Sequence, residues 1–142
     1  MKKMRCSLLR TLSFIAVLSL LASWTQERKP VREFYQFTIY RYNSAEQEKV
    51  LDNYLQNALL PALHRMNIMH IGVFKAISND TAAAKSLYVL VPVKSLEMIT
   101  KIPAKLSADR EYQSNGADYI NALYTATPYA RMETILLQAF PL

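Results

Sequence analysis

The sequence predicts an α+β fold, a four-stranded antiparallel sheet with helices on one face. Three observations carry that expectation. Segments rich in aromatic and β-branched residues alternate with amphipathic ones in the order strand–helix–strand–strand–helix–strand. The two middle strands are joined by a short turn, whereas the outer connections are long enough for helices. Glycine occurs only at Gly72 and Gly116, so a Gly-rich phosphate loop is ruled out.

The first strand is expected over Val31 to Tyr42, VREFYQFTIYRY, which has neither Gly nor Pro. Both its alternating sets carry apolar area: Tyr35, Phe37 and Ile39 on one side, Phe34, Thr38 and Tyr40 on the other. A helix then starts at Asn43 or Ser44, where Ser44-Ala-Glu-Gln47 fits a capping box in which Gln47 reaches back to the cap N–H. Val50, Tyr54, Ala58 and Ala62 recur every four residues beside Leu51, Leu55, Leu59 and Leu63, giving one broad apolar stripe. Pro61 lacks an N–H, so a kink is expected near Leu59–Pro61. The second strand is expected over Ile68 to Ser78, the turn at Asn79-Asp80-Thr81 and the third strand over Ser86 to Val93, with Pro92 at its end. Ser95 caps a second helical region running to about Asn121, which Pro103 should split. Ala130 to Phe140 supplies the last strand. Two split βαβ units in this order make the ferredoxin-like βαββαβ arrangement, with the first and third strands central.

The net charge of +6 is mostly terminal. Lys2, Lys3, Arg5 and Arg10 face no acid, and without them thirteen positive charges face eleven negative ones. The remaining charges are scattered singly, which excludes the clustered basic face of a nucleic-acid binder. Positive residues to Arg10, an apolar run from Thr11 to Ala22 and then small and polar residues have the order of a secretory signal. The run is shorter than the roughly 20 residues of a spanning helix, so a signal peptide over 1–25, cleaved within 22–26, is expected rather than a retained anchor. The domain then occupies 30–142, is exported to the periplasm or beyond, and has no membrane attachment after cleavage. The one cysteine, Cys6, leaves with the signal, which excludes disulfide and thiolate chemistry in the domain.

Helices cover only one face of such a sheet. The other carries apolar side chains and calls for a partner, most simply a second copy related by a two-fold axis. Two sheets packed in this way close a dimeric α+β barrel. Few motifs point to chemistry. His64 and His70 are the only histidines and have no cysteine to join them, so no metal is expected. No Gly-x-Ser-x-Gly marks a nucleophile, and no cofactor is expected. Nine tyrosines are the unusual feature. Tyr35, Tyr40, Tyr88 and Tyr129, with Arg41 and Arg131 on neighbouring strands, make a candidate pocket between helices and sheet for an amphipathic or anionic small molecule. Asp109, Glu111 and Asp118 read as a solvated helix face.

The stretches REFYQFTIYRY, LPALHRMNIMHIGVFK, YVLVPVKSLEMI, AKLSADREYQSNGADYINA and PYARMETILLQAFPL run in order through nearly the whole expected domain. They resemble the NIPSNAP family, in particular its exported bacterial members. The resemblance implies a dimeric α+β barrel and no defined reaction. Eukaryotic relatives look like mitochondrial adaptor or vesicle-transport proteins, and the wider superfamily includes small oxygenases and stress-response proteins. No catalytic residue carries over. Related exported proteins commonly have a second similar domain after the position matching Pro141-Leu142, where this sequence stops. The resemblance leaves two readings, a natural one-domain form or a truncation of a two-domain protein, and a one-domain form must take its second sheet from another chain. The expected function is that of a homodimeric binding or interaction module. The alternative is a cofactor-independent oxygenase or isomerase that uses the tyrosine-lined pocket.

Overall fold

The computed structural model describes residues 33–140. The expected signal over 1–25, its cleavage region, Cys6 and the start of the first strand at Val31 lie outside the described residues. Four strands, β1 (Phe34–Tyr42), β2 (Gly72–Lys75), β3 (Lys85–Val93) and β4 (Arg131–Gln138), form one antiparallel sheet in the order β2-β3-β1-β4. This is the expected topology, with β1 and β3 central. Among the described residues no helix is long and apolar enough to cross a membrane.

The longest helix, α1, comprises Ala45–Tyr54, a π turn at Leu55–Leu59 and Leu60–Arg65. Its sequence explains the π turn. Apolar positions four apart drift by about 40° per step around an ideal helix, and the wider turn brings the stripe back over the sheet. Leu60 N–H reaches the Leu55 carbonyl, five residues back. Pro61 then has no N–H to give Asn57, and the Asn115 side-chain amide bonds that carbonyl instead (3.2 Å). The expected kink is therefore a change of helical pitch within one continuous helix.

Ser44 caps α1, its Oγ accepting from the Gln47 N–H (3.2 Å). The return bond of the capping box goes one residue earlier than expected, from Asn43 N–H to Gln47 Oε1 (2.9 Å). Gln47 Nε2 also donates to the Thr127 carbonyl (2.9 Å), tying the helix start to the loop before β4. Ser44→Ala should lower stability by about 1 kcal/mol, read as a shift in urea midpoint at unchanged slope.

Three further helices, α2 (Leu96–Ala108), α3 (Arg110–Asn115) and α4 (Ala117–Ile120), fill the second connection. The sequence places a break at Pro103, yet α2 runs through it. The break falls at Asp109, whose backbone is extended and whose carboxylate accepts from the Tyr112 N–H (3.0 Å), starting α3. Arg65 at the end of α1 clasps the same carboxylate (2.7 Å), and the Tyr112 amide, aided by this guanidinium, holds the Asp109 carboxyl below its ordinary range. A proline costs its helix one hydrogen bond, whereas an aspartate that caps and pairs favours a new start.

The second strand is shorter than the expected Ile68 to Ser78. Asn67 and His70 have positive φ (59° and 60°), which interrupts any ladder before Gly72. Ile68 lies in the core instead of on a strand. Val73 is on the helix side and Phe74 on the other, by their register with Val89 and Tyr88. Lys75 spans from β2 to α1, its Nζ 2.7 Å from both Glu48 Oε1 and Asp52 Oδ2. The hydrogen bond from Lys75 holds the Glu48 carboxyl below its ordinary range. Glu48 therefore adds stability above its unfolded-state pKa that fades as pH falls through the lower folded value. Lys75→Met should accordingly lower the melting temperature at neutral pH and leave a smaller deficit in acid, as measured by scanning calorimetry at the two pH values.

Leu87, Val89, Val91 and Val93 of β3 and Tyr40 and Tyr42 of β1 pack under Leu51, Tyr54, Leu55, Ala58, Ala62 and Leu63 of α1. Ile102 of α2 and Tyr112 of α3 complete this core.

Candidate functional site

Two surfaces of the sheet carry features beyond packing. On the helix side, five tyrosine rings meet. Tyr54 stacks on Tyr119 (3.7 Å between centroids) and meets Tyr112 edge to face (6.0 Å). Tyr40 contacts Tyr119 (6.3 Å) and Tyr129 (5.8 Å). The phenols of Tyr54 and Tyr112 share a buried hydrogen bond (2.9 Å). Burial raises the pKa of Tyr40, Tyr54 and Tyr119, and the bond to Tyr112 adds to the rise at Tyr54. These three phenols stay protonated at neutral pH, so they serve as hydrogen-bonding groups and not as bases.

Beside the cluster lies a half-open cavity of about 320 Å³. Gln36, Thr38 and Tyr40 of β1, with Val89 and Val91 of β3, form its floor. Tyr54, Leu59 and Leu63 of α1 and Ile102, Pro103, Leu106 and Ser107 of α2 wall it, with Tyr112, Gln113 and Ile120 beyond. None of these side chains is charged. A larger hollow of about 720 Å³ over the outer face of α1 is more open and is lined by Glu46, Glu48, Lys49 and Asp52. Because it is shallow and two of its acids are already paired with Lys75, the enclosed cavity is the better candidate for a small ligand.

The six expected pocket residues divide between the two sides of the sheet. Tyr40 lines the cavity and Tyr129 packs on Tyr40. Tyr35 and Arg41 have the opposite parity on β1; Tyr88 is in register with Ile39, and Arg131 with Arg41. Those four lie on the open face, because successive strand residues point to opposite sides. The structure therefore does not bring Tyr35, Arg41, Tyr88 and Arg131 to the helix-side cavity, and among the described residues no arginine lines it. Gln36, Thr38, Tyr54 and Tyr112 take part instead. The signal for them was present in the parity they share with Tyr40 and in the helical stripe through Tyr54.

The open face has an apolar middle and polar ends. Phe37 and Tyr88 stack in parallel planes (5.8 Å). By register, Phe74, Ile39, Leu90, Ile135 and Leu137 surround them. Phe74, Ile135 and Leu137 are exposed. Gly72 leaves room for the Phe74 ring, since a Cβ there would lie 2.7 Å from its Cζ. At one end Glu133 sits between Arg131 (3.0 Å) and Arg41 (3.4 Å). At the other, Tyr35 donates to Glu33 (2.7 Å), a bond that raises the phenol's pKa.

No family model and no curated protein matches the chain. Solved structures do. An uncharacterized NIPSNAP domain protein from Burkholderia xenovorans superposes with TM-score 0.52 at 15% identity, over 73% of this chain and 91% of that one. An uncharacterized NIPSNAP-like domain protein from the same organism gives 0.54 at 18% identity, over 78% and 85%. A NIPSNAP family protein from Agrobacterium tumefaciens gives 0.54 at 16% identity, over 74% and 90%. The chain has the fold of these NIPSNAP domain proteins.

Proposed function

We propose that the protein is an exported NIPSNAP-like domain acting as a homodimeric interaction module, two copies packing their open sheet faces together. The apolar middle of that face is the observation that supports the reading. Phe37, Ile39, Tyr88, Leu90, Ile135 and Leu137 form a continuous apolar area on a side with no helix among the described residues, and a surface of that kind is a protein-contact surface. Its charged end suits a two-fold contact, because Arg41, Glu133 and Arg131 carry both signs and so can meet their own copies. Export rests on the charged, apolar and polar order of residues 1–27.

Sedimentation of the purified protein tests the pairing. A dimer is expected, and Ile135→Glu should convert it to a monomer with unchanged far-UV circular dichroism, because Ile135 is already exposed in the single chain. A native protein that sediments as a monomer would overturn the reading. Amino-terminal sequencing of the protein recovered from outside the cytoplasm should begin within 22–26 if the signal is cleaved.

A further inference from the structure

We infer that the cavity between the helices and the sheet binds a small, uncharged, largely apolar molecule of one or two rings that carries a hydroxyl or carbonyl group. This goes beyond the pairing of copies and does not depend on it, since the cavity and the open face lie on opposite sides of the sheet.

Size sets the first limit. At about 320 Å³ the cavity is at the small end of ligand pockets, which excludes extended cofactors. Charge sets the second. Among the described residues no acidic or basic side chain lines the space, so an ion entering it would leave water without a compensating partner. The phenols do not supply a negative charge either, because burial keeps Tyr40 and Tyr54 protonated.

The polar groups set the third limit. Ser107 Oγ donates to the Pro103 carbonyl of its own helix (2.9 Å) and Gln113 Nε2 of α3 to the Leu106 carbonyl of α2 (3.3 Å), so both are engaged by backbone. Tyr54 and Tyr112 bond each other (2.9 Å). Among the described residues the side chains of Gln36 and Thr38 make no bond to a protein group, although Thr38 is only 7% exposed. The floor at β1 therefore offers a hydroxyl and an amide to one polar group on a ligand, while Leu63, Val91 and Ile102 take its apolar body. Access is at Pro103 and Ser107, which line the cavity and are also exposed.

The test uses naphthol, its carboxylate counterpart naphthoate and naphthalene as probes, titrated calorimetrically into the purified protein at neutral pH. Naphthol should bind saturably, one per chain, and naphthoate about tenfold or more weaker for want of a charged partner. Ser107→Trp at the exposed rim should weaken naphthol about tenfold or more without changing the melting temperature, because the indole closes the mouth and not the core. Thr38→Val should weaken naphthol several-fold and leave naphthalene unchanged, since only the hydroxyl of the probe meets Thr38. No saturable naphthol binding, equal affinity for naphthoate or indifference to Ser107→Trp would overturn the inference. Sedimentation of the same samples separates the two readings. A dimer that ignores naphthol removes only the cavity site, and a monomer that binds it removes only the pairing.

Discussion

Asn79→Ala should destabilise the protein by about 2–4 kcal/mol, read as a fall in urea midpoint with little change in slope. Asn79 is buried in the turn between β2 and β3 and works with both ends of its amide. Its Oδ1 accepts from the Ser86 N–H (2.9 Å), while its Nδ2 donates to the Ser86 carbonyl (2.9 Å) and to the Tyr42 hydroxyl (3.2 Å). Alanine would take this partner from the buried Ser86 N–H and Tyr42 hydroxyl, each at its own desolvation cost, and leave the Ser86 carbonyl with the Ala76 N–H alone (3.3 Å). Asn79→Asp sharpens the test. It keeps an acceptor for Ser86 N–H, loses the donor and sets a carboxylate against the Ser86 carbonyl. Its deficit should therefore shrink in acid, where protonation restores an O–H donor. Equal deficits for Asn79→Asp at neutral and acid pH would show that the donor arm contributes nothing.

Gly116→Val should cost about 2–3 kcal/mol, measured in the same way. Gly116 is buried where α3 ends against the π turn of α1. A Cβ there would stand 2.9 Å from the Tyr112 carbonyl oxygen, 3.0 Å from Ile120 Cδ1 and 3.1 Å from Ala58 Cβ. Two of these neighbours, a backbone oxygen and a Cβ, cannot swing aside, so α3 must move off α1. That movement loosens the Tyr54–Tyr112 bond, and the cavity should change shape with it. Gly116→Ala makes the same contacts with less bulk and should fall between the two. A native-like midpoint for Gly116→Val would mean that the helices slide apart freely.

The topology was legible because the chain alternates period-two and period-four apolar patterns cleanly. Ser44, Pro92 and the stripe from Val50 to Leu63 each stand where their chemistry requires. Pro92, for example, lies two residues beyond the last pairing of β3 with β2, at Leu90. Boundaries read less well where apolar residues serve the core without a ladder, as Ile68 does, or where a side-chain cap outweighs a proline, as Asp109 does against Pro103. The candidate site was half legible. Composition marks tyrosine, yet strand parity divides the six residues, and Arg41 and Arg131 belong to the far side of the sheet. The two groups that mark the cavity floor, Gln36 and Thr38, are common residue types. Only the covering helices give them a role.

The π turn of α1 gives that helix a phase. The halves on either side present one continuous stripe because the turn at Leu55–Leu59 absorbs a surplus residue. Removing one of those residues would leave an ordinary α turn with both halves still in phase, whereas inserting another would turn one half by about 100° against the other. Ala62 would then stand in place of Leu63, and Pro61 in place of Ala62. Gln56 and Asn57 are exposed and tolerate exchange of chemistry, and the loss of either leaves the stripe facing the sheet. The segment already holds the one extra residue that its turn absorbs.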